Sequence, residues 1–155
     1  MSFTGVNFSF SWLSAAASVS LGEYGGDRRT GLYLATGSGA GAGTVPGKSK
    51  KSWLPSISLT IEAGASESLD AFEGPSEQVT ATTSAAFWTA GGSLLANSYG
   101  SGWIATGGVG TPGLKVAANG QWVRTRLLTQ RNIVAAKPPT RAQPDVTAVR
   151  RKQDR

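Results

Sequence analysis

The sequence holds no cysteine and no histidine, and its single methionine is Met1. Those absences remove disulfides, thiolate nucleophiles, zinc sites of the Cys/His kind and histidine acid/base catalysis together. Charged residues make up only 15% of the chain, and helix-forming Leu, Glu and Lys are thin beside 21 glycines and abundant Ser, Thr and Ala. That balance argues against a helical bundle and for short strands joined by tight turns. No apolar run approaches the roughly 18 residues of a membrane-crossing helix, whereas a membrane barrel, which crosses with alternating strands, stays open. A cleavable secretory leader is not seen either: the first basic residue is Arg28, and the opening alternates apolar with polar residues.

What is present is alternation. Val6, Phe8, Phe10 and Trp12 alternate with Asn7, Ser9 and Ser11, which puts four large apolar side chains on one strand face. After a break at Leu13-Ser14 the pattern resumes more weakly from Ala15 to Leu21, as expected of one strand continuing through a bulge. A turn cluster spans Tyr24 to Gly31, and Leu32 to Thr36 returns as a hairpin partner that thins into the Gly/Ser/Ala run Gly37 to Gly43. Further strands are expected at Trp53 to Ala63, Gln78 to Ser84, Phe87 to Ala96 and Trp103 to Val109. Ala65 to Ser76 reads as an acidic loop with one short helical turn. The glycine-punctuated stretch Gly102 to Arg126 sets the style of the whole chain, and Leu114 to Leu128 is either one long bulged strand or a hairpin turning at Asn119-Gly120.

These readings give one all-β domain over residues 1–129, a small antiparallel β-barrel of about six to eight strands. A basic, proline-containing tail over 130–155 is expected to be disordered, since it has too little apolar surface to offset its ordering entropy. The charge is uneven: residues 1–113 carry five basic and seven acidic side chains, whereas Lys115 to Arg155 carries ten basic and two acidic. The cationic end bears the contact candidates, Trp103, Trp122, Arg124, Arg126, Arg131, Arg150, Arg151 and Lys152, as groups suited to a membrane surface or a partner.

Candidate chemistry is thin. Ala42 to Ser49 has the spacing of a relaxed phosphate loop, yet a strand rather than a helix follows Lys48-Ser49, so no helix N-terminus is there to face a phosphate. Glu62, Glu67, Asp70, Glu73 and Glu77 match no calcium-loop spacing. Neither a catalytic residue set nor a cofactor or metal site is assigned, and the chain reads as a non-enzyme.

Three stretches together carry a resemblance: Gly31-Leu32-Tyr33-Leu34-Ala35-Thr36-Gly37, then Leu69-Asp70-Ala71-Phe72-Glu73-Gly74-Pro75-Ser76, then Gly107-Gly108-Val109-Gly110-Thr111-Pro112-Gly113. From about Val19 to Arg126 the chain resembles the glycine-rich β-barrel segments at the C-terminal ends of bacterial Rhs and related polymorphic-toxin proteins. The resemblance implies a bacterial, toxin-associated barrel, secreted or delivered by a specialised secretion system, and supplies no catalytic residues.

Alternation alone leaves the barrel's facing open. Phe8, Phe10, Trp12, Ile57, Leu59 and Ile61 point inward in a soluble barrel; in a membrane barrel they meet lipid while Ser9, Ser11, Ser58, Thr60 and Glu62 line the lumen. The first functional expectation is therefore a barrel that binds or perforates a membrane, its lipids engaged by the basic end. The alternative is a soluble assembly module, docking a protein partner or a second copy through strand edges and the tail. Tail-driven nucleic-acid binding is a weaker third reading.

Overall fold

The computed structural model describes residues 1–12, 14–26, 28–44, 56–113 and 115–132. In chain order these form β1 (Ser2–Trp12), β2 (Ala15–Gly26), β3 (Arg29–Thr44), β4 (Ser56–Ser66), α1 (Leu69–Phe72), β5 (Gly74–Ala85), β6 (Trp88–Asn97), β7 (Gly100–Gly110), β8 (Lys115–Leu127) and β9 (Arg131–Asn132). Every pairing is antiparallel. The order β2-β1-β4-β7-β6-β5-β8-β3 closes through β2 against β3, giving an eight-stranded barrel, with β9 added beside the start of β3.

Four hairpins with two-residue loops build most of it, at the pairs Trp12↔Ala15, Gly26↔Arg29, Ala85↔Trp88 and Asn97↔Gly100. Two of the loops carry a left-handed residue without glycine, Arg28 at φ 63° and Ala86 at φ 53°. β1, β2 and β3 thus form one meander and β5, β6 and β7 another. The fourth strand of each half, β4 or β8, returns beside the first strand of its own half. Each half is a Greek key, and the barrel is two keys closed on each other through β3–β8 and β7–β4.

The ladder fixes the stagger. Ser2 pairs with Ala65, which pairs with Trp103, then Leu94, Val79, Gly120, Ala40 and Ala15 in turn, and Ala15 pairs with Trp12, ten residues beyond the start on β1. Eight strands with that shear tilt about 40° from the axis on a radius of about 8 Å, so each residue climbs about 2.5 Å and each step along this ladder about 3 Å.

Two sequence expectations change, at Leu13-Ser14 and in the tail, and one left open between two readings, at Leu114 to Leu128, is decided. Leu13-Ser14 is the site of a hairpin turn rather than a bulge, because β2 runs back along all of β1 in unbroken register. β8 is one continuous strand, and Asn119-Gly120 sits inside it, paired on both sides. Ordered pairing also reaches two residues into the tail, at Arg131–Asn132. The Gly37 to Gly43 run stays within β3, and the single helical turn expected between Ala65 and Ser76 is α1, capped by the Ser68 side chain, which accepts from the Ala71 N–H. Trp53 to Pro55, the Lys-Ser of the phosphate-loop spacing and residues 133–155 lie outside the described residues.

The apolar core sits at one end only. Phe3, Tyr24, Tyr33, Leu95 and Ile104 from the wall, with Leu69 and Phe72 from α1, form a plug. Phe72 stacks at 4.6 Å on Phe3 and meets Tyr33 edge-on at 5.0 Å. Both termini of the barrel lie at this closed end.

Candidate functional site

The outer wall is where the large apolar residues are. Val6, Phe8, Phe10 and Trp12 on β1, and Ile57, Leu59 and Ile61 on β4, all point outward and are 39–69% exposed. Val19, Val79, Leu94, Val109 and Val116 continue the belt around the barrel. Paired residues share a face, so the register carries this facing from strand to strand. Charged outward groups, Glu23, Glu77, Arg124 and Arg126, sit at the closed end. Above Glu77 the described outer wall is uncharged for about 20 Å, somewhat less than the roughly 25 Å band of transmembrane barrels. Trp103 and Trp122, with Tyr99 on the β6–β7 turn, ring its lower margin. Phe10, Trp12, Phe87 and Trp88 ring the upper one, and Trp88 is 71% exposed. The belt is thinnest over β3, where Thr36, Ser38 and Ala40 face out.

Inside, the same alternation places polar groups. Above the plug a well of about 200 Å³ is lined by hydroxyl and amide side chains, among them Asn7, Ser9, Ser58, Thr60, Thr80, Thr106 and Gln121. Many satisfy one another: Ser9 and Ser58 hydroxyls lie 2.6 Å apart, Thr80 and Ser93 2.8 Å, and Ser18 donates to Gln121 Oε1 at 3.0 Å. Glu62 is the acid of the well, on its floor and 4% exposed. Its Oε1 accepts from Tyr33 OH at 2.6 Å and its Oε2 from Ser20 Oγ at 3.1 Å, and Ser20 in turn accepts from Asn7 Nδ2 at 2.7 Å. Lys115 lines the mouth at the opposite end.

Local sequence explains how Tyr33 reaches Glu62 from β3 across β2 and β1. Its ring lies flat over Gly22 and Gly5, where an added Cβ would come within 2.8 Å of the ring at Gly22 and within 2.5 Å of the hydroxyl at Gly5. Those two glycines open the track that the tyrosine fills. Tyr33→Phe keeps the ring and removes the donor, leaving buried Glu62 Oε1 without its short hydrogen bond. The expected loss is about 1–3 kcal/mol in equilibrium unfolding with an unchanged strand signature in circular dichroism.

Of the contact candidates, Trp103 and Trp122 are exposed on the outer wall, 52% and 65%, three strands apart. Arg124 and Arg126 share the outward face of β8, and Arg131 joins them through β9 beside Arg29 and Thr30, so one arc of the closed rim is basic. Glu67, Asp70, Glu73 and Glu77 occupy the arc of α1 and β5. Arg150, Arg151 and Lys152 lie outside the described residues. Glu62, read from sequence as one member of an acidic group, is instead alone inside the barrel, because the parity of β4 sends it inward and the others lie on the outer surface. Among the described residues no set of three His, Cys, Asp or Glu side chains is placed to hold a metal. Ser20 and Asn7 were not marked by any sequence motif, and Tyr33 only as part of the Gly31 to Gly37 stretch; the parity of β1, β2 and β3 against β4 is the signal that brings them to Glu62.

The class defined by this geometry is a closed, eight-stranded double Greek-key barrel with an apolar outer wall, a polar lumen and one plugged end. Comparison with protein-family models, with curated proteins and with solved structures gives no match to this chain.

Proposed function

We propose that this chain is a toxin-associated membrane barrel of the kind its Rhs-like stretches suggest, seated in a bilayer as a closed, non-conducting unit. The observation that carries the reading is the inversion of the wall: about 20 Å of uncharged, aromatic-edged apolar surface outside and Ser/Thr-lined space inside. A band of that size left in water would far exceed the apolar patches of ordinary soluble proteins. Strands of 10 to 16 residues suit the span of a tilted transmembrane strand. Arg124, Arg126 and Arg131 on the closed rim, and the cationic sequence beyond, would meet anionic headgroups at about 1 kcal/mol each.

The aromatic plug argues for a sealed barrel rather than an open pore. Among the described residues all eight wall strands are paired on both sides, so the docking alternative would rest on the short edge of β9 and the basic tail. The test is flotation with anionic and neutral vesicles, a carbonate wash, and a dye-release assay on the same vesicles. Retention through the wash with dye held inside is expected, more fully on anionic vesicles. Release by the wash would overturn the inserted barrel, and dye escape would overturn the sealed form.

A further inference from the structure

The well has a charge pattern of its own, which does not depend on what covers the outer wall. Its floor carries one carboxylate, Glu62, and its mouth one ammonium, Lys115. The ladder gives their separation: Glu62 pairs with Thr106, Thr106 with Gly91, Gly91 with Thr82 and Thr82 with Ala117, two residues below Lys115 on β8. Four steps and two residues put the Lys115 backbone about 17 Å above that of Glu62 along the axis.

Partway up the opposite wall, about 7 Å above Glu62 by the same rises, Asn119 presents a buried Oδ1 with no hydrogen-bond partner. The walls of the well offer mostly hydroxyls and amides, which both donate and accept, with Phe10 the one aromatic residue of the lining.

We infer that the lumen is a binding well for a short, extended zwitterionic peptide of small residues, its α-ammonium at Glu62 and its carboxylate at Lys115. Five extended residues span about 17 Å. Glu62 keeps lone pairs for an ammonium beyond those used by Tyr33 and Ser20. Asn119 Oδ1 takes a backbone N–H about two residues along, and the Ser/Thr wall answers the remaining N–H and C=O groups. Small residues leave the peptide backbone within reach of that wall, which makes glycine-rich chains the favoured class.

The probe is pentaglycine, titrated calorimetrically into the full-length barrel at low ionic strength, beside N-acetyl-pentaglycine and pentaglycine amide. Pentaglycine is expected to bind. Acetylation should weaken it at least about tenfold, the effect of losing one hydrogen-bonded charge contact at a buried carboxylate. Amidation should weaken it several-fold, and Lys115→Gln should erase the difference between acid and amide. Because Glu62→Gln disturbs the Tyr33 contact as well, the acetylated peptide on the unaltered protein carries the decision at the floor. Absence of binding at millimolar pentaglycine, or equal binding of the free and acetylated peptides, overturns the inference and leaves a hydrated lumen only.

Discussion

Leu59→Arg is expected to cost the bilayer-folded barrel about 2–4 kcal/mol, read as a fall in the urea midpoint of protein refolded into vesicles and as loss of the carbonate-resistant fraction. Leu59 is the natural position for the test. It lies half-way up the outer belt, is 51% exposed, and pairs with Phe8 on one side and Val109 on the other. A guanidinium there has no partner within the belt and must be desolvated or drag water and headgroups inward. The same arginine at Thr4, outward on β1 but low on the barrel and paired with Glu23, should cost no more than about 1 kcal/mol, because the penalty falls with distance from the midplane. If the outer wall faces water, both substitutions fall within about 0.5 kcal/mol of zero, as surface changes usually do. The depth dependence separates the two cases without any assumption about folding yield.

Phe72→Ala is expected to remove about 3–5 kcal/mol, in lipid or in detergent alike. Phe72 is 4% exposed and its ring contacts Phe3, Tyr33 and Tyr24, so the truncation takes out the centre of an aromatic cluster and leaves a cavity lined by three rings. Leu69 and Ala71 share its short helix, and with the anchor gone α1 should be the first segment to gain rapid amide exchange. The barrel should nonetheless stay sealed, since Phe3, Tyr24 and Tyr33 still fill the closed end from the wall. Dye release from vesicles carrying Phe72→Ala would show that the helix itself is the seal.

Much of the strand content can be read directly from period-two alternation, most plainly in Val6 to Trp12 and Ile57 to Ile61, where large apolar and small polar residues take turns. Turns marked by glycine or asparagine, at Gly25-Gly26 and Asn97, are legible for the same local reason. Leu13-Ser14 is not, because a two-residue hairpin loop without glycine looks like a defect in a continuing strand until its partner is seen. Asn119-Gly120 could not be decided locally: a strong turn pair is held inside β8 by ladders to β3 and β5, which fixes the long strand over the hairpin. The candidate site was legible only in part. Trp103, Trp122 and the arginines of β8 announce themselves by type, but the isolation of Glu62 with Tyr33 and Ser20 depends on three strands distant in sequence.

The sequence by itself determined that this protein is all-β, that its clearest strands, Val6 to Trp12 and Ile57 to Ile61, have one apolar and one polar face, and that cysteine, histidine and zinc chemistry of the Cys/His kind play no part in it. Those are local properties, written in alternation and composition. Only the tertiary structure decided which face is which. Leu34-Ala35-Thr36-Gly37 on β3 and Ile104-Ala105-Thr106-Gly107 on β7 are nearly the same words at matching places in the two keys, yet Thr36 faces out and Thr106 lines the lumen. The physical reason is closure. A shear of ten over eight strands allots five residues to each half, and an odd shift exchanges inside for outside; the facing of every strand is therefore set by the register of the whole ring and not by its own residues.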